Sequence, residues 1–212
     1  MSALDLQEQE QMDTLKAWWK ANGKWLLLTL ALTVGGFGAI RGWQSYQANN
    51  AAEASTLYAE LERQLSSNDP KRINDAAAVV IDKFSATAYA PRAALLAAQV
   101  NIQAGDAARA KSNLQWVLDH AGETGLQHLA RLKLASVLLD EKNYADALKQ
   151  LDTAVPDAYA GLYADLKGDV LNAQGKTEEA HAAYKLAFDK LDAQSKYRSL
   201  IQMKLDVLAG AT

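Results

Sequence analysis

From Trp25 to Ile40 the chain runs sixteen residues without a charge, bounded by Lys24 and Arg41. No other stretch is as apolar, and it restricts the fold most, because such a run either crosses a bilayer or is enclosed by the rest of the protein. As a helix, sixteen residues rise only about 24 Å against a hydrocarbon core of roughly 30 Å. Extension to Trp43 gives nineteen residues and about 28 Å. Arg41 can snorkel, and Trp18, Trp19, Trp43 and Tyr46 are placed as two interfacial aromatic belts. The sequence therefore predicts one transmembrane helix over residues 25–43, a short N-terminal segment over 1–24 and a soluble domain over 44–212.

Cations orient the span. Lys16, Lys20 and Lys24 precede it closely, whereas Arg41 is the only one after it until Arg63, which puts the N-terminus in the cytoplasm and the large domain across the membrane. A cleaved signal peptide is the rival, with Ala51, Ala52 and Ala54 as cleavage candidates. Its n-region would be long and carry Asp5, Glu8, Glu10 and Asp13, and its c-region would hold Arg41, Trp43 and Tyr46, both atypical. A buried core helix is the other rival. The N-terminal acids read as a disordered solvated tail, with a recognition patch as the alternative. Within the span, Ala31, Gly35 and Ala39 form one small-residue stripe and Gly38 and Gly42 a second. Such stripes admit a partner helix closely in lipid, or reflect ordinary use of small residues in a span.

With 212 residues the chain has room for one soluble domain besides this appendage. A net charge of -3 supplies no basic field for phosphates, so no nucleic-acid partner is expected. With no cysteine, disulfides, thiolate metal sites and a thiol nucleophile are excluded.

Past Asn49 no useful alternating pattern occurs; apolar residues recur at three and four, the helical period. The domain also repeats itself. In ADLKGDVLNAQGKTEEAHAAYKLA, residues 164–187, Gly168, Leu171, Gly175, Ala180, Tyr184 and Ala187 occupy places where tetratricopeptide repeats put small, large and turn residues. Gly168 and Ala180 fall where two antiparallel helices touch, Gly175 where a tight turn needs a permissive backbone, and Tyr184 and Leu171 fill the space the small residues leave. Thirty-three residues earlier, Leu134, Ala135, Leu138, Ala147, Leu151 and Ala154 repeat the pattern. Ala98, Gly105, Ala110 and Leu114 give a looser third copy, and STLYAELERQL with NDAAAVVIDKF, broken at Asp69-Pro70, a weak fourth. The last segment, YRSLIQMKLDVL, is expected to cap the array with Leu200, Met203, Leu205 and Leu208 facing the final hairpin. The fold class is thus all-α: one transmembrane helix, then a solenoid of about four helical hairpins with a C-terminal cap.

Such solenoids bind through a groove lined by the first helix of each hairpin. By spacing, the partner-binding candidates are Arg92, Gln99, Gln103, Ser136, Asp140, Asp165, Asp169 and Asn172. Leu95, Ile102, Leu132 and Leu139 fall at the same positions, either to receive an apolar partner or as core. His120, His128 and His181 are too scattered to share a metal and read as surface or capping residues. Ser66, Ser67 and Ser112 lie in no nucleophile elbow, no phosphate loop occurs, and Glu178 and Glu179 suit a helix N-terminus. No catalytic, cofactor or metal site is expected, and the chain reads as no enzyme.

Taken together, LKAWWKANGKWLLL, the Gly-rich span ending IRGWQSYQ, LKLASVLL, LDTA, ADLKGDVLNAQGKTEEAHAAY and the late QMKLD resemble, in order, the ancillary SecYEG translocon subunits, the YfgM-like proteins of Gram-negative inner membranes. The resemblance covers nearly the whole chain and is loosest in the first repeats. It implies a single-pass inner-membrane protein with a cytoplasmic N-terminus and a periplasmic repeat domain. The implied partners are Sec translocon subunits, a membrane-anchored periplasmic chaperone of the prolyl-isomerase class (PpiD-like) and secretory clients. The expected function is an adaptor linking translocation to periplasmic chaperones. The alternative is an envelope scaffold that self-associates or organises other complexes.

Overall fold

The computed structural model describes the backbone of residues 3–67, 69–192 and 194–210, and, within these, the side chains of residue 8 and of residues from 10 onward. Asp5 lies outside the described side chains. The chain divides into two compact units, Met1–Asn50 and Ala51–Thr212.

The first unit is drawn from helix α1, Ala3–Gln64. Its apolar window is only 6% buried; Trp25, Leu32 and Trp43 lie open, each more than half exposed. That excludes a core helix, since protein covers none of these faces. Thr29 and Thr33 donate their hydroxyls to the carbonyls of Trp25 and Thr29 at 2.9 and 2.7 Å, so neither polar group is left bare in an apolar setting. The Trp19 indole lies over Gly23, where a Cβ would come within 3.0 Å of the ring. The expected disordered acidic tail is a correction: the residues around Asp13 are helical. The Lys16–Asp13 pair at 3.2 Å supports that turn at i,i+3 spacing.

In the second unit, residues 51–64 of α1 and helix α2 (Pro70–Lys83) share one apolar cluster, which includes Leu61, Ile73, Ala77 and Val80. A 3-10 turn, Leu65–Ser67, lies between them. Three hairpins follow, α3 (Tyr89–Gln103) with α4 (Ala107–His120), α5 (Thr124–Asp140) with α6 (Tyr144–Leu151), and α7 (Asp157–Ala173) with α8 (Thr177–Lys190), then α9 (Tyr197–Gly210). No strand occurs among the described residues. Asp69 caps α2 by accepting from the amides of Lys71 and Arg72, with Pro70 opening the helix where its missing N–H costs nothing. Asp106 and Asn143 cap α4 and α6 the same way.

One turn recurs three times. Gly105, Lys142 and Gly175 have φ of 76, 60 and 76°. After each, the next amide reaches back to a helical carbonyl: Asp106 to Asn101, Asn143 to Leu138 and Lys176 to Leu171, at 2.8 to 3.0 Å. These are Schellman closures, and the left-handed residue in the middle one carries a side chain.

Small residues set how close each pair of helices lies. Ala110, Ala147 and Ala180 are fully buried. At the α7–α8 crossing a Cβ on Gly168 would fall 2.5 Å from the Tyr184 ring, and one on Gly161 2.8 Å from Leu191. Tyr184 fills the space that Gly168 leaves and is 2% exposed. Between α2 and α3 the amides of Asn74 and Asn101 exchange two hydrogen bonds, 2.8 and 2.9 Å, with Asn101 buried.

The capping helix corrects the expected register. Ile201, Leu208 and, in part, Leu205 pack on the last hairpin, whereas Leu200 and Met203 face out at 44 and 63% exposed. Lys204 takes an inward position that apolar periodicity alone assigns to a hydrophobe.

Two stability measurements on the full-length protein in phospholipid nanodiscs check these readings. Gly168→Val drives methyls into the Tyr184 ring and lowers stability by about 2–3 kcal/mol, seen as a reduced melting temperature. Lys142→Gly relieves the left-handed turn and raises stability by about 0.5–1 kcal/mol. No change for Gly168→Val, or a loss for Lys142→Gly, contradicts the packing described.

Candidate functional site

First helices of consecutive hairpins also touch, α3 with α5 and α5 with α7. They supply the continuous face on which a solenoid binds, and the structure sorts the expected candidates along it. Arg92 bridges hairpins, its Nη2 to the Glu123 carboxylate at 2.9 Å and its Nη1 to the Ala88 carbonyl at 2.5 Å. Gln99 accepts from Lys133 Nζ at 2.5 Å, again across a hairpin boundary. Gln99 and the exposed Gln103 sit on one wall of a 410 Å³ cleft whose other walls are apolar, from Leu65 and Ile73 to Leu96 and Val100. Ser136 is half-buried; Asp140 and Asn172 are exposed.

Asp165 and Asp169 are brought together, but as anchors for α9. Lys204 Nζ donates to both carboxylates at 2.8 and 2.6 Å, and the Tyr184 hydroxyl donates to Asp169 Oδ1 at 2.8 Å. The cluster is mostly sheltered, with side chains 18 to 31% exposed. Burial alone would lower the Lys204 pKa, yet its hydrogen bonds and attraction to Asp165 and Asp169 outweigh that and raise it above the ordinary lysine value. Burial first, then the bond to Asp169, holds Tyr184 above the usual tyrosine range. Burial also raises Asp165, against the opposing pull of Lys204.

The four leucine and isoleucine candidates resolve as core: Leu95 is buried, and Ile102, Leu132 and Leu139 are half-buried against the main cluster. His128 is a correction, since it is buried. Its Nδ1 pairs with the Tyr163 hydroxyl at 3.0 Å, and the ring stacks on Tyr159 with centroids 4.6 Å apart. His120 is exposed and stacks on Trp116 beyond the middle of α4, and His181 is exposed.

Lys133, Lys204 and the His128–Tyr163 pair escaped sequence reasoning. A signal was available: Arg92–Glu123, Gln99–Lys133, Lys111–Glu141 and Lys204–Asp169 are 31, 34, 30 and 35 residues apart, about one repeat. These four pairs join neighbouring hairpins, or the last hairpin and α9. Donors and acceptors of both kinds over an apolar floor suit a polypeptide, whose main chain offers both.

The family model described as a tetratricopeptide repeat-like domain matches residues 16–210. In fold the chain is similar to MamA 41-end from Desulfovibrio magneticus RS-1, with a TM-score of 0.55 and 19% identity over 74% of this chain and 89% of that one. The fold and its first-helix face define a tetratricopeptide repeat-like protein with, among the described residues, one helix apolar and long enough to cross a membrane. It is 35% identical to the ancillary SecYEG translocon subunit of Neisseria gonorrhoeae over 97% of this chain and 99% of that one. The subunits of Escherichia coli, at 30% over 95 and 97%, and Haemophilus influenzae, at 28% over 97 and 100%, are similar along their whole lengths. The chain belongs to the family of ancillary SecYEG translocon subunits, and with its apolar helix it is a membrane-anchored protein.

Lys204→Met leaves two sheltered carboxylates without their cation and lowers stability by about 1–3 kcal/mol. Raised Lys204 and Tyr184 values mean that the folded state holds both protons more tightly than the unfolded chain. Their stabilisation is complete below the unfolded values, about 10, and is lost as pH rises through the folded ones. The raised Asp165 has the same sign in the acid range. Stability therefore falls above about pH 10, and the slope is shallower in a Lys204→Met, Tyr184→Phe protein. Thermal melts across pH check this, and identical slopes in the two proteins overturn it.

Proposed function

We propose that this chain is an adaptor: residues 25–43 cross the inner membrane and associate with the Sec translocon, and residues 44–212 bind protein partners in the periplasm. Residues 1–24 lie in the cytoplasm, on the side marked by Lys16, Lys20 and Lys24. The observation that carries the reading is full-length similarity to relatives named ancillary SecYEG translocon subunits, joined to an α3–α5–α7 face whose exposed polar groups suit a polypeptide. The partners on that face are a membrane-anchored chaperone of the prolyl-isomerase class or emerging secretory chains. Gln99, Gln103, Ser136, Asp140 and Asn172 are the contact candidates, with Arg92, Asp165 and Asp169 holding the face in shape through their ion pairs. The small residues Ala31, Gly35 and Ala39, with Gly38 and Gly42, let a translocon helix approach the span closely.

Photocrosslinking in intact cells tests this, with probes at Gly35, Gly38, Gln103, Asp140 and Asn172. Span probes are expected to trap translocon subunits, and face probes a periplasmic chaperone or a secretory chain. Self-adducts alone from the span, with none from the face, would replace the adaptor by an envelope scaffold.

A further inference from the structure

The cleft beside Gln99 and Gln103 carries no charge, since every residue that lines it is neutral. Ile73 in its wall is buried, and Leu65, Leu96 and Val100 are half-buried. At 410 Å³ it falls within the about 300–1,000 Å³ of ligand sites, with room for a large apolar side chain.

Two side-chain amides stand on the same wall. Lys133 Nζ has only donors, so the Gln99 atom it meets at 2.5 Å is the carbonyl oxygen. That bond fixes the amide and leaves both N–H groups on Gln99 Nε2 free. Gln103, exposed one turn further along α3, has neither amide atom paired among the described residues. Four residues apart, the two amides are about 6 Å from each other along the helix axis. One edge of an extended chain presents the N–H and C=O of every second residue, a repeat of about 6.6–6.8 Å. The amides therefore match two such residues in succession: Gln99 donates to the carbonyl of one, and Gln103 donates to and accepts from the other. The residue between them turns its side chain to the face opposite theirs, which brings it into the cleft. A helix has no such edge, because its main-chain groups bond one another. A second copy of this chain offers no strand among its described residues, and a charged ligand meets no opposite charge in the lining.

We infer that this cleft captures a short, extended, uncharged stretch of unfolded polypeptide, its main chain held by Gln99 and Gln103 and one large apolar side chain seated between Leu65, Leu96 and Val100. This rests on the adaptor reading, and of the two partners named there it selects the emerging secretory chain over the folded chaperone. Only a few residues are covered, so the hold is weak and tolerant of sequence: it reads the main chain and one apolar residue.

The test uses the full-length protein in zwitterionic phospholipid nanodiscs and a fluorescein-labelled nine-residue peptide of Ser, Thr and Gly with one central Leu. Anisotropy is read against empty nanodiscs. Saturable binding is expected, weakened about tenfold when Ser replaces the central Leu. N-methylation of both neighbours of that Leu removes the N–H that Gln103 accepts and weakens binding about threefold to tenfold. Gln103→Met gives the same loss, and in that protein N-methylation has no further effect. Gln103 is exposed, so the variant keeps its fold, which a circular-dichroism melt verifies. Absence of saturable binding overturns the inference, as does equal binding of the Leu and Ser peptides or an N-methylation loss undiminished in the Gln103→Met protein. Tighter binding of a hydrocarbon-stapled helical peptide of the same composition assigns the cleft to a folded helix, and dimerisation that Gln103→Met abolishes assigns it to a second copy; each overturns it. Translocon crosslinks from Gly35 and chaperone crosslinks from Asp140 that persist after a negative result leave the adaptor reading standing, whereas their loss in cells removes that reading independently.

Discussion

Everything in the repeat domain depends on how closely two antiparallel helices can approach, and small residues set that distance. At the α7–α8 crossing the backbone of Gly168 lies against the face of the Tyr184 ring, and even one added carbon would overlap it. The same contact delivers the Tyr184 hydroxyl to Asp169, so a packing constraint in the core becomes an electrostatic one at the surface. Asp169 in turn holds Lys204, and Lys204 fixes the last helix. A chain of contacts thus runs from one missing side chain to the end of the array.

Stacking the hairpins is a separate matter from forming them. Within a hairpin the helices meet through buried alanine and leucine, which carry little information about which hairpin is next. Between hairpins, polar pairs add that information: Arg92 with Glu123, Lys133 with Gln99, Lys111 with Glu141. Exposed pairs of this kind add only about 0–1 kcal/mol each, so the apolar clusters stabilise the stack and the charges align it.

Much of this was legible in the sequence because its signals are local. The three-and-four period, the Asp69-Pro70 break and the glycines at 105 and 175 each act over a few residues, and the helices, caps and turns fall where they indicate. Lys142 shows the limit, since a lysine gives no hint of a left-handed backbone and only the repeat offset from Gly105 and Gly175 does. The inward face of α9 is hidden from local pattern for the same reason: several of its apolar positions compete to face inward, and Lys204 wins a place there through two carboxylates 35 and 39 residues earlier. His128 is buried because of Tyr159 and Tyr163 on another helix, which no local pattern reports. Candidates on the α3–α5–α7 face were found by position, but whether a side chain there was already committed to a neighbour depended on tertiary pairing.

The reciprocal amide pair between Asn74 and Asn101 bears on how such an array avoids mistakes. Look-alike helices invite the wrong neighbour to dock, because an alanine-rich surface accepts almost any other. Asn101 is almost wholly enclosed, and a mispaired helix would strand its amide without a partner, at a cost of about 1–3 kcal/mol. The α2–α3 joint therefore carries an address that its apolar surroundings lack. That address discriminates among folding alternatives even where it adds little to the stability of the correct one.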